Sequence, residues 1–156
     1  MVNKIVNRIW FPSPPETSKP QLSKSTLTNA KKRPDGFISD AIFDLTSSRN
    51  SEVDWTAFYA VIEMINANPG TGITEAIAGI RYRLSIEDAV AIFFTLSVLD
   101  ALFKNAGINF QNELSSKANL DFLQYDVIHR KSLAPENRGQ LLELIAEWGI
   151  ARDSRE

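Results

Sequence analysis

Few side chains in this sequence have the types and spacing that chemistry requires. His129 is the single histidine and there is no cysteine, which excludes disulfides and thiol nucleophiles and leaves almost nothing to build a structural zinc site from. Neither a Gly-x-Ser-x-Gly elbow nor a Ser-x-x-Lys pair stands at a helix start to partner His129. Glu87 with Asp88, and Asp121 with Asp126, are carboxylate pairs of the kind used for acid and base catalysis, but helix capping and solvent-facing helix surfaces account for them. The NPGTG stretch at 68–72 has the glycines of a phosphate cradle, since glycines ahead of a helix expose backbone N–H groups to an anion. No Gly-Lys-Ser/Thr follows it and no strand pattern precedes it, so it reads as a turn feeding a helix. The expectation is a chain without catalysis, cofactor or metal.

The elements that hold these residues follow from composition and period. With 156 residues the chain suits one folded unit with room for a tail. Its 17 basic and 19 acidic side chains nearly cancel, so no global field favours nucleic acid, and any charged partner must be met locally. No segment has the run of about 20 apolar residues that a membrane span needs, and the N-terminus lacks the apolar core of a secretory signal. Together with the missing cysteines this gives the expectation of a cytoplasmic protein, with peripheral membrane contact open.

Residues 2–11, VNKIVNRIWF, set Val2, Ile5, Val6, Ile9 and Trp10 at helical spacing. This amphipathic segment reads either as a membrane-surface or partner-docking helix, with Ile5, Ile9 and Trp10 as its contacts, or as a ragged terminus or strap. Pro12, Pro14, Pro15, Pro20 and Pro34 break the polar stretch that follows, making 1–36 a tail. Its Lys31, Lys32 and Arg33 could touch acidic lipid, although such short runs are usually solvated. From Phe37 helical periodicity takes over, defining a domain over 37–150 and a short tail over 151–156. The first helix is expected over about 37–47, the second over about 52–66 behind a Ser51/Asp54 capping box, and the third over about 72–84. A second capping box, Ser85/Asp88, opens the central helix. That helix is apolar on every side from Ala89 to Phe103, interrupted only by Thr95, Ser97 and Asp100, which marks burial among other helices. Gly107 closes it. Two or three more helices follow, the last behind Pro135 with Leu141, Leu142, Leu144, Ile145 and Trp148 as its stripe. No stretch alternates with period two, so the class is all-α, with seven or eight short helices stacked as a superhelix.

Over about 37–150 these elements together resemble the VHS domain of endosomal and Golgi sorting adaptors. The resemblance rests on TLSVLDALFKNAGINFQNEL at 95–114, SSKANLDFL at 115–123, LLELIAEW at 141–148, Asp54-Trp55 at the head of the second helix, and the Pro-Gly turn before the third. It implies a right-handed superhelix of eight helices and no enzymatic activity. It also implies weak binding of ubiquitin or ubiquitinated cargo on the second helix, through Trp55 and the residue four positions on, here Tyr59 where the family has an aliphatic side chain. The alternative is that Trp55 caps the core beside Phe58 and leaves nothing exposed. A subset of VHS domains, those of the GGA sorting adaptors, reads acidic dileucine peptides between the sixth and eighth helices with basic side chains. Here Ile108 and Asn109 replace two of those, Arg138 keeps one, and Lys117, His129, Arg130 and Lys131 are the nearby candidates. Architecturally related ENTH and ANTH modules imply a phosphoinositide-binding alternative in endocytosis or actin-patch assembly. The implied location is peripheral, on endosome, Golgi or plasma-membrane sites.

Overall fold

A helix of nine residues is too short to persist on its own backbone hydrogen bonds, and the first helix of this protein has its ends held by side chains from elsewhere. A computed structural model describes residues 32–153, with side chains from 32 to 149. It contains α1 (Phe37–Leu45), α2 (Trp55–Ala67), α3 (Pro69–Ser85), α4 (Ala89–Asn105), α5 (Ile108–Leu114), α6 (Lys117–Asp121) and α7 (Pro135–Asp153). A π-helical stretch, Phe122–Ile128, continues α6 directly. Among the described residues there is no strand, and the all-α superhelix expected from the sequence is the one observed.

At the start of α1, the N–H groups of Ile38 and Ser39 donate to Oε1 of Glu75 on α3, at 2.9 and 3.1 Å. At its end, Arg83, two turns further along α3, donates from Nε to Thr46 Oγ1 at 2.9 Å and from a terminal nitrogen to Phe43 O at 2.7 Å. The carboxylate therefore meets the positive end of the α1 dipole and the guanidinium the negative end, which requires α1 and α3 to run in the same direction. Burial lowers the Arg83 pKa, with Asp88 the largest opposing influence; arginine stays charged regardless. Gly36 is part of this arrangement, because a Cβ there would collide with the Glu75 carboxylate.

Helix starts differ from the expected ones in a consistent way. Asp54 and Asp88 are themselves the N-caps, accepting from Ala57 N–H and Ala91 N–H at 3.0 Å each. Ser51 stays in the loop, and Ser85 donates instead to Tyr82 O at 2.6 Å. An aspartate on extended backbone reaches the third amide ahead without help, so the serines three residues earlier are not needed. The NPGTG stretch is likewise not a loop. Pro69 is the first residue of α3, where its missing N–H costs nothing, and Asn68 alone separates α2 from α3. Gly72 lies where the two helices cross, and a Cβ there would sit 3.0 Å from the Ile65 Cα.

The central helix is as the pattern demanded: Val90, Ala91, Ile92, Phe94, Thr95, Leu96, Val98, Leu99, Leu102 and Phe103 are all buried, and α4 touches α1, α2, α3, α5 and α7. Thr95 returns its hydroxyl to Ala91 O at 2.6 Å, so its burial leaves no unmet donor. Asp100 accepts from the Trp148 indole N–H at 3.3 Å and from Lys104 at 2.8 Å, while Trp148 stacks on Phe103. These contacts tie α7 to α4. Ala106 is the C-cap, and Gly107 follows with φ 90. Phe37, Leu120 and Leu142, which the apolar stripes placed inward, are exposed.

Replacing Glu75 by alanine strips a charged acceptor from two amides, and the expected loss is about 2 kcal/mol of unfolding free energy, measured by urea denaturation. Gly36→Ala displaces the same carboxylate, so the Gly36→Ala/Glu75→Ala double variant loses less than the sum of its singles. Strict additivity would show that Gly36 does not act through the cap.

Candidate protein-binding face

On α2, Phe58, Val61 and Ile65 point into the core, and residues four apart on the other side form the outer face. Trp55 and Tyr59 are that pair. Their relative exposures are 47% and 60%, against 1% for Phe58 between them. Each meets Phe58 edge to face, with ring centroids 5.5 and 5.6 Å apart. Phe58 thus acts as a buried backing plate for two exposed rings, and Trp55 does not close over the core. The α2 start fixes this orientation, because the Asp54 cap sets where the first turn begins. Two neighbouring exposed aromatics are of the kind enriched in protein interfaces.

The cations suggested for a peptide site are not gathered into one. Arg138 donates to Ile128 O and Arg130 O, both at 2.9 Å, closing the exposed carbonyls at the end of the π-helical stretch. Arg130 reaches back to Leu84 O at 2.8 Å, at the end of α3. Lys117 is paired with Asp121, whose hydrogen bond raises its pKa. His129 lies stacked on Tyr125 at 6.1 Å. Arg138 gives two donors to main chain and Arg130 one, a role invisible in sequence because the acceptors are backbone carbonyls that only the fold brings near. Ile5, Ile9 and Trp10 lie outside the described residues.

Two of the four carboxylates with acid and base spacing are engaged elsewhere. Asp88 caps α4 and Asp121 pairs with Lys117. Among the described residues no three His, Cys, Asp or Glu side chains are placed to hold a metal, and no helix is long and apolar enough to cross a membrane.

Sequence reading passed over the carboxylates beside the aromatic pair. Glu63, four residues after Tyr59, is exposed, and that spacing alone would have found it. Asp44, Glu52 and Asp54 line a cleft of about 450 Å³ on the α1 side of α2, together with Ala41, Leu45 and Ala57. That grouping needs the packing of α1 on α2 and has no local signal.

The described residues thus form a superhelix of short helices with an exposed aromatic pair on its second member. The sequence matches the VHS domain family over residues 32–156, and the chain belongs to that family. It is similar to the class E vacuolar protein-sorting machinery protein HSE1 of Chaetomium globosum, 28% identical over 113 residues, which are 72% of this chain and 16% of that protein. The HSE1 protein of Neurospora crassa is 30% identical over the same 72% of this chain and 15% of its own length. That of Scheffersomyces stipitis is 31% identical over 94 residues, 60% of this chain and 20% of that protein. The matched region thus spans at most a fifth of the length of these relatives.

Trp55→Ala and Tyr59→Ala are each expected to change unfolding free energy by under about 1 kcal/mol, because the rings already face water. Phe58→Ala should cost about 3–5 kcal/mol. Chemical denaturation of the three variants checks this, and equal losses at all three positions would mean that the outer rings belong to the core.

Proposed function

We propose that this chain is a non-enzymatic adaptor module of endosomal protein sorting, peripheral to the membrane, which binds ubiquitin weakly through Trp55 and Tyr59 on α2. The observation that carries the reading is the pair of half-exposed or more exposed rings backed by a buried Phe58. Stability gives no reason for a tryptophan to stand in water there, whereas an apolar protein surface does. Membership of the VHS family and likeness to proteins of the vacuolar sorting machinery supply the setting. Tyr59 widens the platform beyond what an aliphatic residue would give, and its hydroxyl adds a hydrogen-bonding group at the edge. Acidic peptide recognition is less well supported, since Arg130 and Arg138 are committed to carbonyls.

Titration of isotope-labelled protein with ubiquitin tests the reading. Amide and indole shifts should cluster on residues 55–63, and Trp55→Ala should weaken binding by about tenfold or more, as removal of an interface anchor does. An unperturbed α2 at millimolar ubiquitin would remove the proposal.

A further inference from the structure

Two clefts of about 450 Å³ each differ in charge. One, beside α3, is lined by Lys32 and Arg81 against the single carboxylate of Glu113. The other, between α1 and α2, is lined by Asp44, Glu52 and Asp54 and by no cation, with Ala41, Leu45 and Ala57 as its apolar part. None of these three carboxylates is in an ion pair among the described residues. Asp54 accepts from the Ala57 N–H, which leaves its negative charge in place. Arg49 is the only cation between Phe37 and Ile80, and it stands exposed in the loop between α1 and α2. The opposite charge is in the tail, where residues 1–33 carry Lys4, Arg8, Lys19, Lys24 and the Lys31–Arg33 run against Glu16 alone. The last of these cations is already seated on α1. Arg33 pairs with Asp40 at 3.3 Å and lies over the Phe43 ring at 4.4 Å, and Asp40 shares a helix face with Asp44, one turn on.

We propose that residues 2–11 dock in the acidic cleft between α1 and α2 of the same molecule, with Lys4 and Arg8 facing Asp44 and Glu52, and Ile5 and Ile9 laid on Ala41, Leu45 and Ala57. Four-residue spacing on a helix sets Lys4 beside Arg8 and Ile5 beside Ile9, so a charged row and an apolar row reach the cleft together. Residues 12–31 join the segment to Lys32. A chain of about 20 residues spans about 25 Å, against a radius of gyration of about 13 Å for a domain of this size, so the cleft is within reach. Tethering sets an effective concentration on the order of 1 mM, which populates to about half even a contact of millimolar intrinsic affinity. The cleft beside α3 is refused by like charge, since Lys32 and Arg81 repel Lys4 and Arg8. A segment of about ten residues is a marginal helix alone, and the acidic cleft supplies the partner it lacks. Docking also withholds Ile5 and Ile9 from a lipid surface. Trp55 and Tyr59 do not line the cleft, so this contact is separate from the ubiquitin reading.

Because the chain has no cysteine, Asn3→Cys in the full-length protein accepts a single nitroxide label, and paramagnetic broadening of amide signals reports what lies near it. Amides of residues 41–57 should lose most of their intensity at about 0.02 M salt and regain it at about 0.5 M. Lys4→Glu/Arg8→Glu should abolish the effect, and adding Asp44→Lys/Glu52→Lys to that variant should restore it, a rescue that loss of folding does not mimic. Asp44 and Glu52 are exposed, and circular dichroism verifies that their substitution leaves the fold intact. Uniform broadening over the surface, broadening confined to residues 74–82 beside the other cleft, or no rescue by the charge exchange would overturn the proposal. Broadening in an isotope-labelled copy without nitroxide, mixed with a nitroxide-bearing one, would overturn it too, by making a second molecule the occupant. Phosphatidylserine vesicles should leave the broadening in place; if they abolish it, a lipid surface and not the cleft is where the segment rests.

Discussion

The pairing of α1 with α3 through opposite charges at opposite ends is the constraint from which the rest of the domain follows. Glu75 and Arg83 stand eight residues apart on one helix, about 12 Å along its axis, close to the length of the nine-residue helix they hold. Once those ends are fixed, α1 and α3 lie parallel, and α2 must return antiparallel between them in sequence. The tight Asn68 junction and the glycine at the α2–α3 crossing make that return possible. This sequence of constraints leaves one side of α2 against the core and the other side outward. The aromatic pair is exposed because its helix is positioned by its neighbours, with no contact of its own required.

The second half of the molecule is held by a different device, in which side chains close the carbonyl ends of neighbouring segments. Gln111 donates to Phe103 O at the end of α4, Arg130 to Leu84 O at the end of α3, and Arg138 to the end of the π-helical stretch. Asn137, fully buried, donates to Ala89 O at the start of α4. Short helices expose many unpaired backbone groups for their length, and a superhelix of them therefore needs polar side chains inside. Arg83, Arg130 and Arg138 are accounted for in that way, which is why a charge that looks like a ligand site in sequence turns out to be structural.

Much of the fold was legible before the structure. The period of apolar residues located the helices, and the apolar circumference of α4 identified the one that touches five of the other six helices. What misled was local chemistry with two solutions. Ser51 and Asp54 fit a capping box, yet Asp54 alone makes a complete cap, and the same holds for Ser85 and Asp88. The stripe of α2 includes Trp55 along with Phe58, Val61, Ile62 and Ile65, and a stripe cannot say which of its edges stops at the core boundary. Phe37, Leu120 and Leu142 were lost in the same manner, each at the margin of its helix face. The candidate site was legible as two residue positions; whether they faced water depended on α1 and α3.

The caps of α1 have an effect on how the chain is made. This helix is the first to leave the ribosome among the described elements, but the side chains that close its two ends are encoded some 37 to 40 residues downstream of it. Until α3 has been synthesised and has coiled, α1 has no partner for its terminal amides and carbonyls, and nine residues cannot stay helical unaided. The earliest of the described elements to be translated is thus not ordered before α3 is. Residues of its future interior, Ile38, Ile42 and Leu45, remain accessible to chaperones throughout that interval.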